Sequence, residues 1–157
     1  DRRAAAGQAD ADHLASQSRA IAAHLRRALC LRNDESHALS AAIDGVARLE
    51  SSWLAEPVAA QKRAAAAPWF DAALAILEAR APDVAHTVRT RVVELAAAHG
   101  GLVPAPLITG DDLIAAGLSP GPRFKAILDR VYDAQLEGRI STRAEALALA
   151  KTAPDGK

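Results

Sequence analysis

PLITGDDLIAAGLSPGPRFKAILDRVYDAQLEGRISTRAEALA, residues 106–148, decides the fold, because nearly every position in it has a local structural role. Thr109, with Asp112 three residues on, comes close to a capping box: a hydroxyl accepts one free helix N–H and an acid accepts another. The spacing predicts a short helix, about 110–116, with Leu113 and Ile114 turned inward and Gly117 as its left-handed stop. Ser119 followed by Pro120 predicts the start of a second helix, an N-cap and then proline in the first turn. Phe124, Ile127, Leu128, Val131 and Gln135/Leu136 follow at helical spacing, and Gly138 ends the run. Thr142 with Glu145 is a full capping box for a third helix that carries Ala146, Leu147 and Ala150.

Helical patterns continue outward from this stretch towards the N-terminus. Asp1 to Gln8 is charged and alanine-rich without a pattern. Over about 10–29, Leu14, Ile21, Leu25, Ala28 and Leu29 fall on one stripe, and the basic end (Arg26, Arg27, Arg32) suits the helix dipole. Asn33 reads as the N-cap of a helix over about 34–50, with Leu39, Ala42, Ile43, Val46 and Leu49 on its inner face. Trp53 and Leu54 lie in the connection. Pro57 then opens a helix reaching about residue 66, Pro68 one over 69–79 with Phe70, Leu74 and Leu77, and Pro82 a fifth. In the fifth, Val84, Val88, Val92 and Leu95 keep helical spacing until Gly100-Gly101. GGLVPAP, residues 100–106, reads as a linker. The expected architecture is all-α: a helical body of about five helices over residues 1–102, then a small three-helix tail over residues 103–157.

Composition agrees. Half of the 157 residues are apolar but alanine dominates, and aromatics make up 3%. Such a chain packs helices closely and lacks the β-branched and aromatic residues a sheet would use. The sequence contains no methionine, even at its start, so an excised C-terminal piece or a processed product is expected. No apolar run approaches membrane-spanning length, and nothing at the N-terminus resembles a signal peptide. The single cysteine, Cys30, excludes an internal disulfide and fits a reducing compartment, with cytoplasm the default. It is expected to pack as a small apolar residue. A formal net charge of zero argues against a stand-alone, high-affinity nucleic-acid binder, so only local clusters of positive charge can serve that purpose.

Few residues can carry chemistry. Asp10-Ala11-Asp12 has the spacing of a metal-binding acid pair, but no strand or glycine turn precedes it, and it reads as two solvated acids. His13, His24, His37, His86 and His99 show no zinc-site spacing, so no metal ligand and no catalytic residue is assigned. The serious candidate is GLSPGPRFK, residues 117–125. A glycine turn into a helix presents free backbone N–H groups at the positive end of the dipole, where phosphate binds. Gly117, Ser119 and Gly121 shape the approach, and Arg123 and Lys125 add charge-assisted contacts. Beside it stands the plain reading, in which these residues only make a tight turn. Lys62, Arg63, Arg139 and Arg143 are further possible nucleic-acid contacts, each of which also suits a solvated face. Stacking of bases on Trp53, Trp69, Phe70, Phe124 or Tyr132 competes with core packing at four of the five positions.

The ordered string Thr109-Gly110-x-Asp112-Leu113, Gly117-x-x-Pro120-Gly121-Pro122, Ile127-Leu128, Ala134 to Gly138 and Thr142-x-x-Glu145-Ala146-Leu147 resembles the C-terminal tail of bacterial tRNA nucleotidyltransferases. These are the CCA-adding and poly(A)-polymerase-like enzymes. Leu31 to Glu35 is similar to a step into a body helix of the same family. The resemblance covers about forty residues and implies a chain that grips the acceptor and T-arm of tRNA by its backbone, without base specificity. A catalytic head, missing from this sequence, would then add nucleotides to the 3′ end. Mg2+ and nucleoside triphosphates would belong to that head, as would the choice between CCA, part of it, or poly(A). No cofactor is expected in this chain, which by itself would be a non-catalytic part of a transferase. The alternative is an all-α protein–protein interaction or dimerisation module that binds no nucleic acid.

Overall fold

The computed structural model describes residues 20–21, 24–25, 28, 30, 32–98, 100–118 and 121–152. Seven α-helices and no strand occur among them: α1 (Asn33–Ser51), α2 (Val58–Ala65), α3 (Phe70–Arg80), α4 (Pro82–Ala97), α5 (Gly110–Ala115), α6 (Arg123–Leu136) and α7 (Arg143–Lys151). A single 3-10 turn, Trp53–Ala55, follows α1. Among the described residues no helix is long and apolar enough to cross a membrane.

The chain forms two compact units that interleave in sequence. One takes the residues up to 56 together with 67–91, and the other takes 57–66 together with 92–157. The boundary expected at residue 102 therefore falls inside the second unit. α4 contributes its first ten residues to one unit and its last six to the other.

In the first unit α1 packs on α3. Ala42, Val46 and Leu49 are buried on α1, and Phe70, Ala73 and Leu77 on α3. Trp53, placed in a connection by its sequence context, is wholly buried, with its ring 5.7 Å from that of Phe70. Gly45 is buried too, a packing position that the apolar periodicity does not reveal. Arg48 clamps the end of the 3-10 turn: its Nε donates to Glu56 Oε1 at 2.9 Å and its Nη2 to Oε2 at 2.6 Å. These bonds lower the Glu56 pKa and raise that of Arg48. Helix α1 begins one residue before the expected start. Glu35 accepts the Arg32 N–H at 2.9 Å, so Arg32 takes the N-cap position and Asn33 the first helical one.

The second unit holds the three tail helices, α5 to α7, around one core: Ile108, Leu113, Ile127, Val131, Ala146 and Ala150. The punctuation read from the sequence is present. Asp112 Oδ2 accepts the Thr109 N–H at 2.7 Å, and Glu145 accepts the Thr142 N–H at 3.0 Å while Thr142 Oγ1 accepts that of Glu145 at 3.3 Å. Gly117 (φ +89) and Gly138 (φ +73) each close a Schellman motif. The Leu118 N–H donates back to the Leu113 carbonyl at 3.0 Å, and the Arg139 N–H to that of Ala134 at 2.9 Å.

Four expectations change. Ile114 is half exposed, because in six residues of helix Leu113 takes the inward position and the next side chain turns away. Helix α6 starts at Arg123, preceded by Pro122, three residues later than the Ser119-Pro120 start; Ser119 and Pro120 lie outside the described residues. Cys30 is exposed, with a left-handed φ of 51, and does not pack as a core residue. Ile21 is also exposed, away from the expected inner stripe. Leu14, Arg26, Arg27, Leu29 and His13 lie outside the described residues.

The 100–106 segment does not behave as a free linker. Tyr132 Oη donates to the Pro104 carbonyl at 3.0 Å, and Gln135 Nε2 donates to the Ala105 carbonyl at 2.7 Å. The Leu107 N–H returns a bond to Gln135 Oε1 at 3.1 Å. Two residues three apart on α6 thus satisfy backbone groups of an irregular segment and tie it to the helix.

Candidate nucleic-acid interface

The phosphate-site candidates and the further basic candidates singled out from sequence belong to the second unit, on α2, on α6 and its flanks, and at the start of α7, whereas Trp53, Trp69 and Phe70 belong to the first. At Gly117 and Gly121 no atom of the described residues beyond their chain neighbours lies within 4 Å of where a Cβ would stand, so the described surroundings leave the backbone open to close approach. Among the described residues no side chain caps α6 at Pro122, whereas α5 and α7 each carry a capping carboxylate. The first turn of α6 presents Arg123, which is exposed, and Lys125, whose side chain is 85% exposed. One turn on, Asp129 accepts a hydrogen bond from Lys125 Nζ.

Arg63, on α2, meets the same face of α6. Its Nε donates to Asp133 Oδ1 at 2.7 Å, its Nη2 lies 3.9 Å from Asp129 Oδ1, and its guanidinium sits 5.1 Å from the centre of the Tyr132 ring. Lys125 and Arg63 therefore share one carboxylate, that of Asp129. Its pKa is lowered, first by the Lys125 hydrogen bond and then by the charges of Lys125 and Arg63. Neither sequence spacing nor periodicity shows this meeting, since Arg63 and Asp129 are 66 residues apart. The one legible signal is the pairing of an exposed helical basic residue with acids at positions 129 and 133, an i, i+4 ladder on α6.

The other candidates have different partners or surroundings. Arg139 donates to Glu137 at 2.7 Å, and Arg143 donates to Asp112, which links the start of α7 to the capping box of α5. Lys62 is 1% exposed, and desolvation lowers its pKa. It shares the buried face of α2 with Ala59, so its burial removes it from the surface a phosphate can reach. Of the aromatic residues, Trp53 and Phe70 are buried, and Trp69, Phe124 and Tyr132 are half-buried. Among the described residues no group of three or more His, Cys, Asp or Glu side chains is arranged to hold a metal ion.

A cavity of about 300 Å³ opens beside this face of α6, lined mainly by Leu107, Ile108, Leu128, Val131 and Tyr132. The polar groups on its wall are largely engaged: the Gln135 amide holds the 105–107 backbone, and Thr109 Oγ1 donates to Asp112 at 3.0 Å.

Comparison with known proteins gives a short similarity. A 43-residue stretch, 27% of this chain, is 49% identical to part of an A-adding tRNA nucleotidyltransferase of Geobacter sulfurreducens, and it spans 5% of that protein's length. No protein-family model and no solved structure matches the chain.

Proposed function

We propose that this chain is a tRNA-positioning part of a nucleotidyltransferase-like protein. In this reading a catalytic head outside these 157 residues supplies Mg2+, nucleoside triphosphate and the chemistry. The observation that carries the reading is the 49% identity over 43 residues to a tRNA nucleotidyltransferase. The geometry supports it: among the described residues nothing crowds Gly117 or Gly121 and no side chain caps the start of α6, where Arg123 and Lys125 stand in the first turn. A phosphate backbone is held there by N–H groups and point charges, which read shape and not bases. Arg63 extends the same face, and Arg139 and Arg143 are secondary contacts. Holding the double-helical part of a tRNA at a set distance from a remote active site speeds a reaction by positioning alone.

Titration of fluorescently labelled tRNA with the full chain tests this. Binding is expected in the weak range of sequence-independent contacts, Kd about 10⁻⁴ to 10⁻⁶ M. With two to four phosphates neutralised, affinity falls roughly tenfold to a hundredfold between 50 and 200 mM salt. Arg123→Glu with Lys125→Glu abolishes binding. No tRNA binding by the wild-type chain at low salt would overturn the reading.

One observation favours a second reading, an interaction module without nucleic acid. Lys125, Arg63, Arg139 and Arg143 are each already paired with a carboxylate. Under that reading the chain self-associates or captures a protein partner, and the double charge reversal leaves this association unchanged in sedimentation velocity.

A further inference from the structure

We infer that Asp129 is a built-in competitor of RNA phosphate, setting a low affinity at the α6 face by occupying Lys125 and Arg63 until a phosphate displaces it. The inference rests on the tRNA-positioning reading and deepens it. Asp129 lies mid-helix with its side chain 45% exposed, and its two oxygens face two different cations: Oδ2 takes the Lys125 ammonium, and Oδ1 faces the Arg63 guanidinium at 3.9 Å. Arg63 is also held by Asp133 Oδ1 at 2.7 Å, and its Nη2 donates to the Asp129 carbonyl at 3.4 Å. Arg63 therefore stays in place whether or not the Asp129 carboxylate is engaged, whereas the Lys125 side chain is fixed only at its tip.

Two cations brought to one carboxylate make a receptor that an incoming phosphate can use once that carboxylate swings aside, with Arg63 still held by Asp133. A backbone phosphodiester carries one negative charge on two non-bridging oxygens, as the carboxylate does, so it can take both cations in the place of Asp129. Because all three side chains are substantially exposed, the existing pairs are weak and open readily. The exchange is therefore possible, but each binding event must first displace Asp129. A part that has to release its tRNA after every 3′ addition gains from such a resident counter-charge, since affinity differences arise mostly in the dissociation rate.

Asp129→Asn keeps the shape of the side chain and removes its charge. Fluorescence-anisotropy titration of tRNA onto the full chain, at 50 mM salt, is the test, with Asp71→Asn as the control. Asp71 is an exposed acid in the first turn of α3, a helix of the first unit, and its removal changes the net charge by the same amount. Asp129→Asn is expected to tighten binding about threefold to tenfold, chiefly by slowing dissociation, and Asp71→Asn by less than twofold. Adding Lys125→Gln to Asp129→Asn should remove most of the gain. Asp129→Ser carries the same expectation if the asparagine variant loses helicity. If the wild type binds and Asp129→Asn binds no tighter, or both asparagine variants tighten equally, the competitor role is wrong and the tRNA reading stands. If neither the wild type nor Asp129→Asn binds tRNA, both fall.

Discussion

Gly45 has no side chain, and Trp69 occupies the space one would need. A Cβ at residue 45 would come within 2.7 Å of Trp69 Cζ3 and 3.0 Å of Ala73 Cβ. Arg48 also lies over this indole, 5.8 Å from the ring centre, and is held in turn by Glu56. Alanine is a better helix former than glycine by about 1 kcal/mol, but forcing a methyl into this contact costs roughly 2–3 kcal/mol. Gly45→Ala is therefore expected to lower stability by about 1–2 kcal/mol, read as a fall in Tm. In a Trp69→Ala background most of this penalty is expected to vanish, because only the Ala73 contact at 3.0 Å still opposes the propensity gain. By intrinsic propensity alone, glycine is a weak helix residue. Nothing in the one-dimensional pattern says that an indole lies across it.

At the scale of elements, the tail helices are bounded by side chains whose work was legible in advance. Gly117 and Gly138 both adopt positive φ with no atom within 4 Å of a would-be Cβ, so replacing either costs only backbone strain. Gly117→Ala and Gly138→Ala should each destabilise by about 1 kcal/mol, whereas Gly117→Asn costs less; chemical denaturation of the three variants checks the order. The capping carboxylates add a pH dependence. Asp112 has its pKa lowered, first by the Thr109 backbone N–H and then by Arg143, and Glu145 has its pKa lowered by the Ser141 and Thr142 N–H groups. Folding thus favours the ionised forms. Their stabilisation is complete above the unfolded carboxyl range, about pH 4, and is lost as pH falls through the lowered folded values. Helicity followed by circular dichroism should decline below about pH 4. Glu145→Gln should lower stability at pH 7 and flatten that acid limb. The start of α6 shows where such reading stops. Ser119-Pro120 has the right composition for a helix start, yet the regular hydrogen bonding begins at Arg123, after a second proline.

For the whole molecule, the decisive feature is that residues 57–66 belong with 92–157 and not with their sequence neighbours. Arg63 reaches Asp129, Asp133 and Tyr132 from this segment, and α2 packs on α6. A fragment of residues 92–157 is therefore expected to lose α2 from the face of α6. It should show faster amide exchange in α6 than the full chain, and it should bind a hydrophobic dye. Equal protection in the two would refute the interdependence. The sequence by itself determined the all-α class, the three tail helices, their two capping boxes and their two glycine stops. These depend on side chains within four residues of the backbone groups they satisfy, and local hydrogen bonding is written in local spacing. Only the tertiary structure decided that Trp53 is core, that Lys62 is buried while Arg63 is not, and that Tyr132 and Gln135 tie down the 100–106 segment. It alone also brought Lys125 and Arg63 to one carboxylate. Those outcomes depend on which helix faces meet, and contacts between distant segments leave no period in the chain.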